Sequence, residues 1–207
     1  MAKGSDFERE MCQVLSLWWS GGERDDVFYR TQASGARATV RSRRGKSTAY
    51  QHGDMAPIDF EGEPLCNCWS VEFKTGYGRK LTKQEGKRKI SNWCALDLID
   101  SQQKETTLEK MWRQASEDAE KSNREPILIF RRNLMSPCIV VNKSYWVHLC
   151  HFFGPCPLRR LTLNKELGEN PLVILSLKQF LNWIPDIRPA LVGKMERRPQ
   201  PARRRLM

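Results

Sequence analysis

Between Cys68 and Thr75 the chain alternates strictly, with Trp69, Val71 and Phe73 interleaved with Ser70, Glu72 and Lys74. Successive strand residues point to opposite faces, so this run is a β-strand with one apolar and one polar face, and Glu72 and Lys74 share the polar one. The strand has to lay its apolar face on a packed layer while holding a carboxylate and an ammonium side by side. Two helical stripes can supply such layers. Phe7, Met11, Val14, Leu15 and Trp18 recur at helical spacing and predict a helix from about Asp6 to Trp19, with Ser5 as N-cap and Gly21-Gly22 as the stop. Leu108, Met111, Trp112, Ala115 and Ala119 line one face of a second predicted helix, from about Lys104 to Ser122.

The rest of the chain falls around these three segments. VFYRT, residues 27–31, reads as a strand, and the polar stretch that follows, SGARATVRSRRGKSTAYQHG, reads as a loop. A strand from Asp54 to Phe60 is expected to pair with the alternating strand across the turn-rich EGEPL. Pro57 makes it short, bulged or partly at an edge, because proline donates no ladder hydrogen bond. GYGRKLTKQEGKRK suggests a turn and then a short helix. PILIFRR is a buried strand, SPCIVVN and PLVILS are two more, WVHLCHFF is a strand or core segment, and SLKQFLNWI is a last helix. The reading is one domain over residues 1–190, with a core at roughly 4–131 and an extension at 132–190. Residues 191–207 form a basic, proline-containing tail expected to be largely disordered.

Thirty-five Lys and Arg against 24 Asp and Glu give a net charge of +11, a field that draws polyanions and makes nucleic acid the leading partner. Apolar runs are too short to span a bilayer, no basic amphipathic helix suits a membrane surface, and MAKGSDFERE has no signal-peptide character, so a cytoplasmic protein without a membrane partner is expected. The seven cysteines include Cys66 and Cys68, too close for an ordinary bridge, and reduced thiols are the expectation. His148, Cys150, His151 and Cys156 are zinc-type ligands, but their spacing matches no common two-plus-two knuckle, and a packing role is favoured.

The alternating strand also carries chemistry. Hydrolysing a phosphodiester takes hard oxygen ligands for a divalent cation such as Mg²⁺, typically one or two carboxylates, and a cation to offset charge building on the phosphate. Glu72 and Lys74 supply one of each on one face. Asp54, at the start of the preceding strand, could supply the second carboxylate. Asp59 competes with it, because it lies closer to Glu72 in sequence, at a separation that also fits a tight hairpin; Asp54 is favoured, since Asp59 reads as part of the turn.

These residues resemble a known family. GDMAPIDFEGEPLCNCWSVEFKTGYG is similar to the core of the PD-(D/E)XK nuclease superfamily, with Gly53-Asp54 in place of its Pro-Asp and Glu72-Phe73-Lys74 matching its second half. The order of elements over roughly residues 4–131 resembles the αβββαβ core of that superfamily and, within it, phage-type Holliday-junction resolvase-like members. The resemblance implies an α/β, restriction-endonuclease-like fold with a central mixed β-sheet flanked by helices. It implies Asp54, Glu72 and the carbonyl of Phe73 as metal ligands, Lys74 as the catalytic lysine, and Mg²⁺ as cofactor with Mn²⁺ as substitute. Glu8 matches a helix-1 glutamate that approaches the metal through water, although Ser5 to Glu8 equally forms a capping box. Gln114 falls where many members place a helical Gln or Lys facing the site, and a solvated helix edge is its other reading. Ser34, in a Ser-Gly pair, resembles an element near the phosphate, though such a pair is also an ordinary turn.

Arg37, Arg41, Arg43, Arg44 and Lys46 on one side of the site, and Arg79 and Lys80 on the other, are candidates for gripping a nucleic-acid backbone without reading bases. The resulting expectation is a metal-dependent DNA endonuclease, structure-directed or non-specific, in phage-type recombination, repair or replication. A homodimer would suit cutting two opposed strands, and the site would be the host cytoplasm if the chain is phage-encoded. The alternatives are a catalytically idle nucleic-acid-binding protein on a nuclease-like fold and a small structural-zinc protein.

Overall fold

A computed structural model describes residues 3–31, 53–77, 80–84, 87–91, 105–132, 134–164 and 170–195. The candidate residues Ser34, Arg37, Arg41, Arg43, Arg44, Lys46 and Arg79, and the tail from 196 onward, lie outside the described residues.

The first apolar stripe forms helix α1, Lys3–Trp19, which buries Phe7, Met11 and Leu15. It begins before Ser5, which lies inside the first turn. Strands β1, Phe28–Arg30, and β2, Met55–Pro57, pair antiparallel, with Phe28 opposite Pro57 and Arg30 opposite Met55. The segment expected to be a turn contains a short helix, α2, Glu63–Cys68, started by Pro64 in its first turn and burying Leu65, Cys66 and Cys68. Strand β3, Trp69–Tyr77, is the alternating segment.

A parallel partner needs a crossover, and α3, Thr107–Ser122, supplies it. Thr106 and Glu109 form a reciprocal capping box at its start, Asn123 closes it in the left-handed conformation, and the five stripe residues are buried as expected. Strand β6, Glu125–Arg132, then runs parallel to β3, with Glu72 beside Leu128 and Lys74 beside Phe130. Between β3 and α3 lie β4, Lys80–Gln84, and β5, Lys87–Ser91, an antiparallel hairpin where a turn and short helix were expected. The correction has a local reason: Glu85-Gly86 falls between two five-residue runs that pair residue for residue.

The extension completes the sheet with β7, Cys138–Asn142, β8, Arg160–Leu163, and β9, Leu172–Ser176. The five-stranded order is β3-β6-β7-β9-β8, with β3 and β6 parallel and every other pairing antiparallel. WVHLCHFF is not a strand but part of helix α4, Lys143–Phe153, whose start is capped by the Asn142 side chain and which buries Trp146 and Leu149 in the core. Helix α5, Leu177–Trp183, is not the last: α6, Arg188–Met195, follows it and carries structure into what was read as tail.

The two sheet faces are covered differently. Helix α1 and the helices of the extension share one core with the odd-numbered residues of β3 and β6, among them Val71, Phe73, Ile127 and Ile129. Helix α3 packs Leu108, Met111, Trp112 and Ala115 against Leu128 and Phe130 on the other face. Trp69 anchors the first core. It is stacked by Trp18 at 6.0 Å, and its Nε1 donates to the Tyr145 hydroxyl at 2.6 Å, tying β3 to α4. The polar face of β3 is therefore also covered, and Ser70 and Glu72 are buried. The αβββαβ order is followed by α1, β1, β2, β3, α3 and β6, with α2 and the β4–β5 hairpin as insertions. No helix among the described residues is long and apolar enough to cross a membrane.

Candidate active site

Asp54 reaches β3 through its backbone. Its N–H donates to the Val71 carbonyl at 2.7 Å, its own carbonyl accepts from Thr31 N–H at 2.9 Å, and its Oδ2 accepts from Phe73 N–H at 2.9 Å. Asp54 thus sits at the open edge of β3, opposite the edge that pairs with β6. Instead of the expected hairpin ladder, β2 pairs with β1 in a separate two-stranded sheet, and the Asp54–Val71 hydrogen bond joins this segment to β3. Gly53 makes the approach possible. Its φ is +85°, and a Cβ there would lie 2.9 Å from the Val71 carbonyl oxygen. Proline is held near −65° and cannot occupy this position, which explains why Gly and not Pro precedes the aspartate. In a strand the N–H and C=O of one residue point to the same edge, so the Phe73 carbonyl faces the Asp54 side as its N–H does.

Glu72 is 3% exposed and lies under α3. Its Oε1 accepts from Gln114 Nε2 at 2.8 Å and from the Lys74 ammonium, so both donors use one oxygen and leave Oε2 for a further ligand. Burial, followed by the nearby charge of Asp54, pushes the Glu72 carboxyl up to about 7, and Lys74 only partly offsets this. Gln114 is therefore an exposed residue at the helix edge that also contacts the site.

Glu8 does not stand alone. Its Oε2 accepts from Arg30 Nε at 2.7 Å, bridging α1 to the end of β1. Cys12, one helical turn further along, lies within the fields of Asp54, Glu8 and Arg30. Burial first, and then Asp54 and Glu8, push its thiol up to about 12. Glu8, Arg30 and Asp54 therefore gather on one side of α1. Arg30 was not singled out from the sequence; the available signal was a cation ending an apolar strand just before the basic loop.

Asp59 goes elsewhere. Its Oδ2 accepts from Arg24 at 2.9 Å, and its Oδ1 from Glu61 N–H at 3.0 Å, inside a clamp that also joins Arg24 to Asp26 and Glu61. His148 places Nε2 3.0 Å from the Ala190 carbonyl oxygen and stacks on Tyr145. Among the described residues, no three His, Cys, Asp or Glu side chains form a group able to hold a metal by themselves.

The donors at Asp54 and Glu72 nevertheless fit a hard divalent cation. Such ions are held by one or two carboxylates with waters and substrate oxygens making up the rest. Two carboxylates, that of Glu72 buried, and a backbone carbonyl on the same edge meet that description.

A family model described as "Phage putative PDDEXK endonuclease" matches residues 1–188 of the chain. No curated protein and no solved structure matches it. The match spans the core and nearly all of the extension, and it agrees with the mixed sheet flanked by helices. On these grounds the chain belongs to the phage endonuclease family of the PD-(D/E)XK superfamily.

Proposed function

We propose that the protein is a divalent-metal-dependent DNA endonuclease, structure-directed or non-specific, with Mg²⁺ as its natural cofactor. The observation that carries this reading is the meeting of Asp54 and Glu72 at β3 beside Lys74, from segments of the chain joined only by tertiary contacts.

In this reading Asp54, Glu72 Oε2 and the Phe73 carbonyl hold the cation, and Gln114 fixes the Glu72 carboxylate by its bond to Oε1. A cation bound there would polarise a phosphoryl oxygen and lower the pKa of an attacking water. Lys74 has the more exposed side chain of the ion pair, 20% against 4% for Glu72. Its ammonium can orient the nucleophile and offset negative charge developing on the phosphate. Arg30, held by Glu8, offers a second cation on the other side of Asp54.

The test is a panel of duplex, flap, four-way-junction and single-stranded DNA, incubated with Mg²⁺, with Mn²⁺ and with EDTA. Wild-type protein should cut at least one substrate only with a metal. Asp54→Ala and Lys74→Ala should abolish cutting while retaining folding and DNA binding, whereas Asp59→Ala should cut normally. Binding without cleavage of any substrate would favour the catalytically idle alternative, and undiminished cutting by Asp54→Ala or Lys74→Ala would refute the site.

A further inference from the structure

Strands β6 and β7 form a hairpin whose pairing ends with Phe130 opposite Cys138. Phe130 lies beside Lys74 across the parallel β3–β6 ladder, so the hairpin tip stands at the same end of the sheet as Lys74. The Met135 N–H closes the turn by donating to the Arg132 carbonyl at 3.1 Å. At the crest Leu134 has a φ of +60°. Among the described residues, the other non-glycine with a positive φ is Asn123, which caps α3. Such a backbone suits Gly, Asn or Asp, and a leucine in it is strained. Burial does not offset the strain, because Leu134 is fully exposed and Met135 half exposed. A leucine that strains its turn and buries no surface does not stabilise the fold, and strain of this kind gathers at ligand-binding points. The root of the tip is anchored to the site. Arg131 bonds Glu10 at 2.7 Å and lies 4.5 Å over the Phe7 ring, and Phe7 packs edge-on against Phe73, between Glu72 and Lys74.

We propose that Leu134 and Met135 form an apolar wedge that enters an opened base step beside the cut, which makes the preferred substrate DNA with a bulge, flap or branch. The proposal rests on the nuclease reading above and names what that site selects. Leucine and methionine are among the side chains that insert between bases, and the step they enter loses its stacking. That cost is least where the step is already open, so a wedge selects distorted DNA without reading its sequence. Charge favours a nucleic acid over an apolar partner. Arg131 and Arg132 adjoin the crest and put cations where flanking phosphates would run, on a chain carrying +11. Reach limits where the wedge can act. Four residues of extended chain and one interstrand spacing put the Leu134 backbone within about 20 Å of that of Lys74, a span of about six base pairs.

The test compares wild type with Leu134→Asn, with Leu134→Met, and with the control Val147→Asn, which removes an exposed apolar side chain from α4. Dissociation constants are measured in EDTA for a fully paired DNA duplex and for the same duplex with a three-nucleotide bulge, with 2-aminopurine beside the bulge reporting unstacking. Wild type should prefer the bulged duplex by about tenfold or more and raise the 2-aminopurine fluorescence. Leu134→Asn should cut that preference below about twofold, abolish the fluorescence rise and leave affinity for the paired duplex within about twofold of wild type. Leu134→Met and Val147→Asn should keep the preference. Because asparagine tolerates the left-handed backbone, the melting temperature of Leu134→Asn should not fall below that of wild type. A lower one would show that Leu134 serves the fold and would overturn the proposal. So would a preference kept by Leu134→Asn, an equal loss on the paired duplex, or an equal effect of Val147→Asn. Light scattering that finds a dimer for wild type and a monomer for Leu134→Asn would overturn it too, by making the crest an interface between copies. A wild type that cuts under Mg²⁺ without preferring the bulge would sink the wedge alone. One that shows the preference but cuts nothing under Mg²⁺ would sink the nuclease reading and leave the wedge standing.

Discussion

Replacing Glu72 by glutamine should make the metal-free protein more stable and the enzyme inactive. The carboxyl is buried beneath α3 and near Asp54, and its pKa is raised from an ordinary 4.5 to about 7. Between those two values the folded protein keeps a proton that the unfolded chain has released. The favourable contribution of the protonated group is thus complete below about 4.5 and is lost as pH rises through 7. A change of that size corresponds to about 3 kcal/mol between the two protonation states. Glutamine copies the neutral form and can still accept from Lys74 and Gln114 through its amide oxygen. At pH 8 in EDTA, Glu72→Gln should therefore exceed wild type by up to about 3 kcal/mol, or roughly 6 to 12 °C in melting temperature for a domain of this size. At pH 4.5 the gap should close. Adding Mg²⁺ at pH 8 should raise the wild-type melting temperature, since a ligand that binds only the folded state stabilises it, and should leave the variant almost unmoved. The measurement is a thermal and urea melt of both proteins at pH 4.5, 6 and 8, with EDTA and with Mg²⁺. A variant no more stable than wild type at pH 8, or a gap of equal size at every pH, would refute the reasoning.

Two other substitutions probe how the site is assembled. Gly53→Ala places a Cβ against the Val71 carbonyl at a φ that L-residues tolerate poorly, so it should cost more than the roughly 1–2 kcal/mol of the backbone conformation alone and should reduce cleavage by displacing Asp54; urea denaturation at wild-type stability would disprove the close approach. Glu8→Gln removes the charge that holds Arg30. Because that pair is partly exposed, stability should fall by no more than about 1 kcal/mol. The cleavage rate should nonetheless drop about tenfold or more, and an unchanged rate would take Glu8 and Arg30 out of the site.

What could be read from the sequence was local and periodic. The stripes of α1 and α3, the alternation of β3 and the apolar run of β6 each repeat within one element. Burial of Leu15, Met111, Val71 and Ile129 follows from that repetition without knowledge of the partner. The side-by-side placement of Glu72 and Lys74 belongs to the same class, because two residues on one strand share a face wherever the strand lies. The β4–β5 hairpin and helix α4 were misread for the complementary reason. Lys-rich runs carry little hydrophobic pattern, and WVHLCHFF is too uniformly apolar for its period to separate strand from helix.

Tertiary structure decided everything about the site that crosses between elements. Asp54 is the carboxylate at β3 because Gly53 lets its backbone dock on Val71, while Arg24 holds Asp59 in a clamp outside the site. The Glu8 carboxylate, left open between a helix cap and a metal contact, is taken by Arg30 from β1. Gln114 became a site residue when the α3 crossover laid it over Glu72, and the same burial turned an ordinary strand glutamate into one poised near 7. The sequence alone thus determined which residues share the polar face of β3. Only the folded chain could choose their partners, since those contacts depend on how distant segments pack and not on any repeat within a segment.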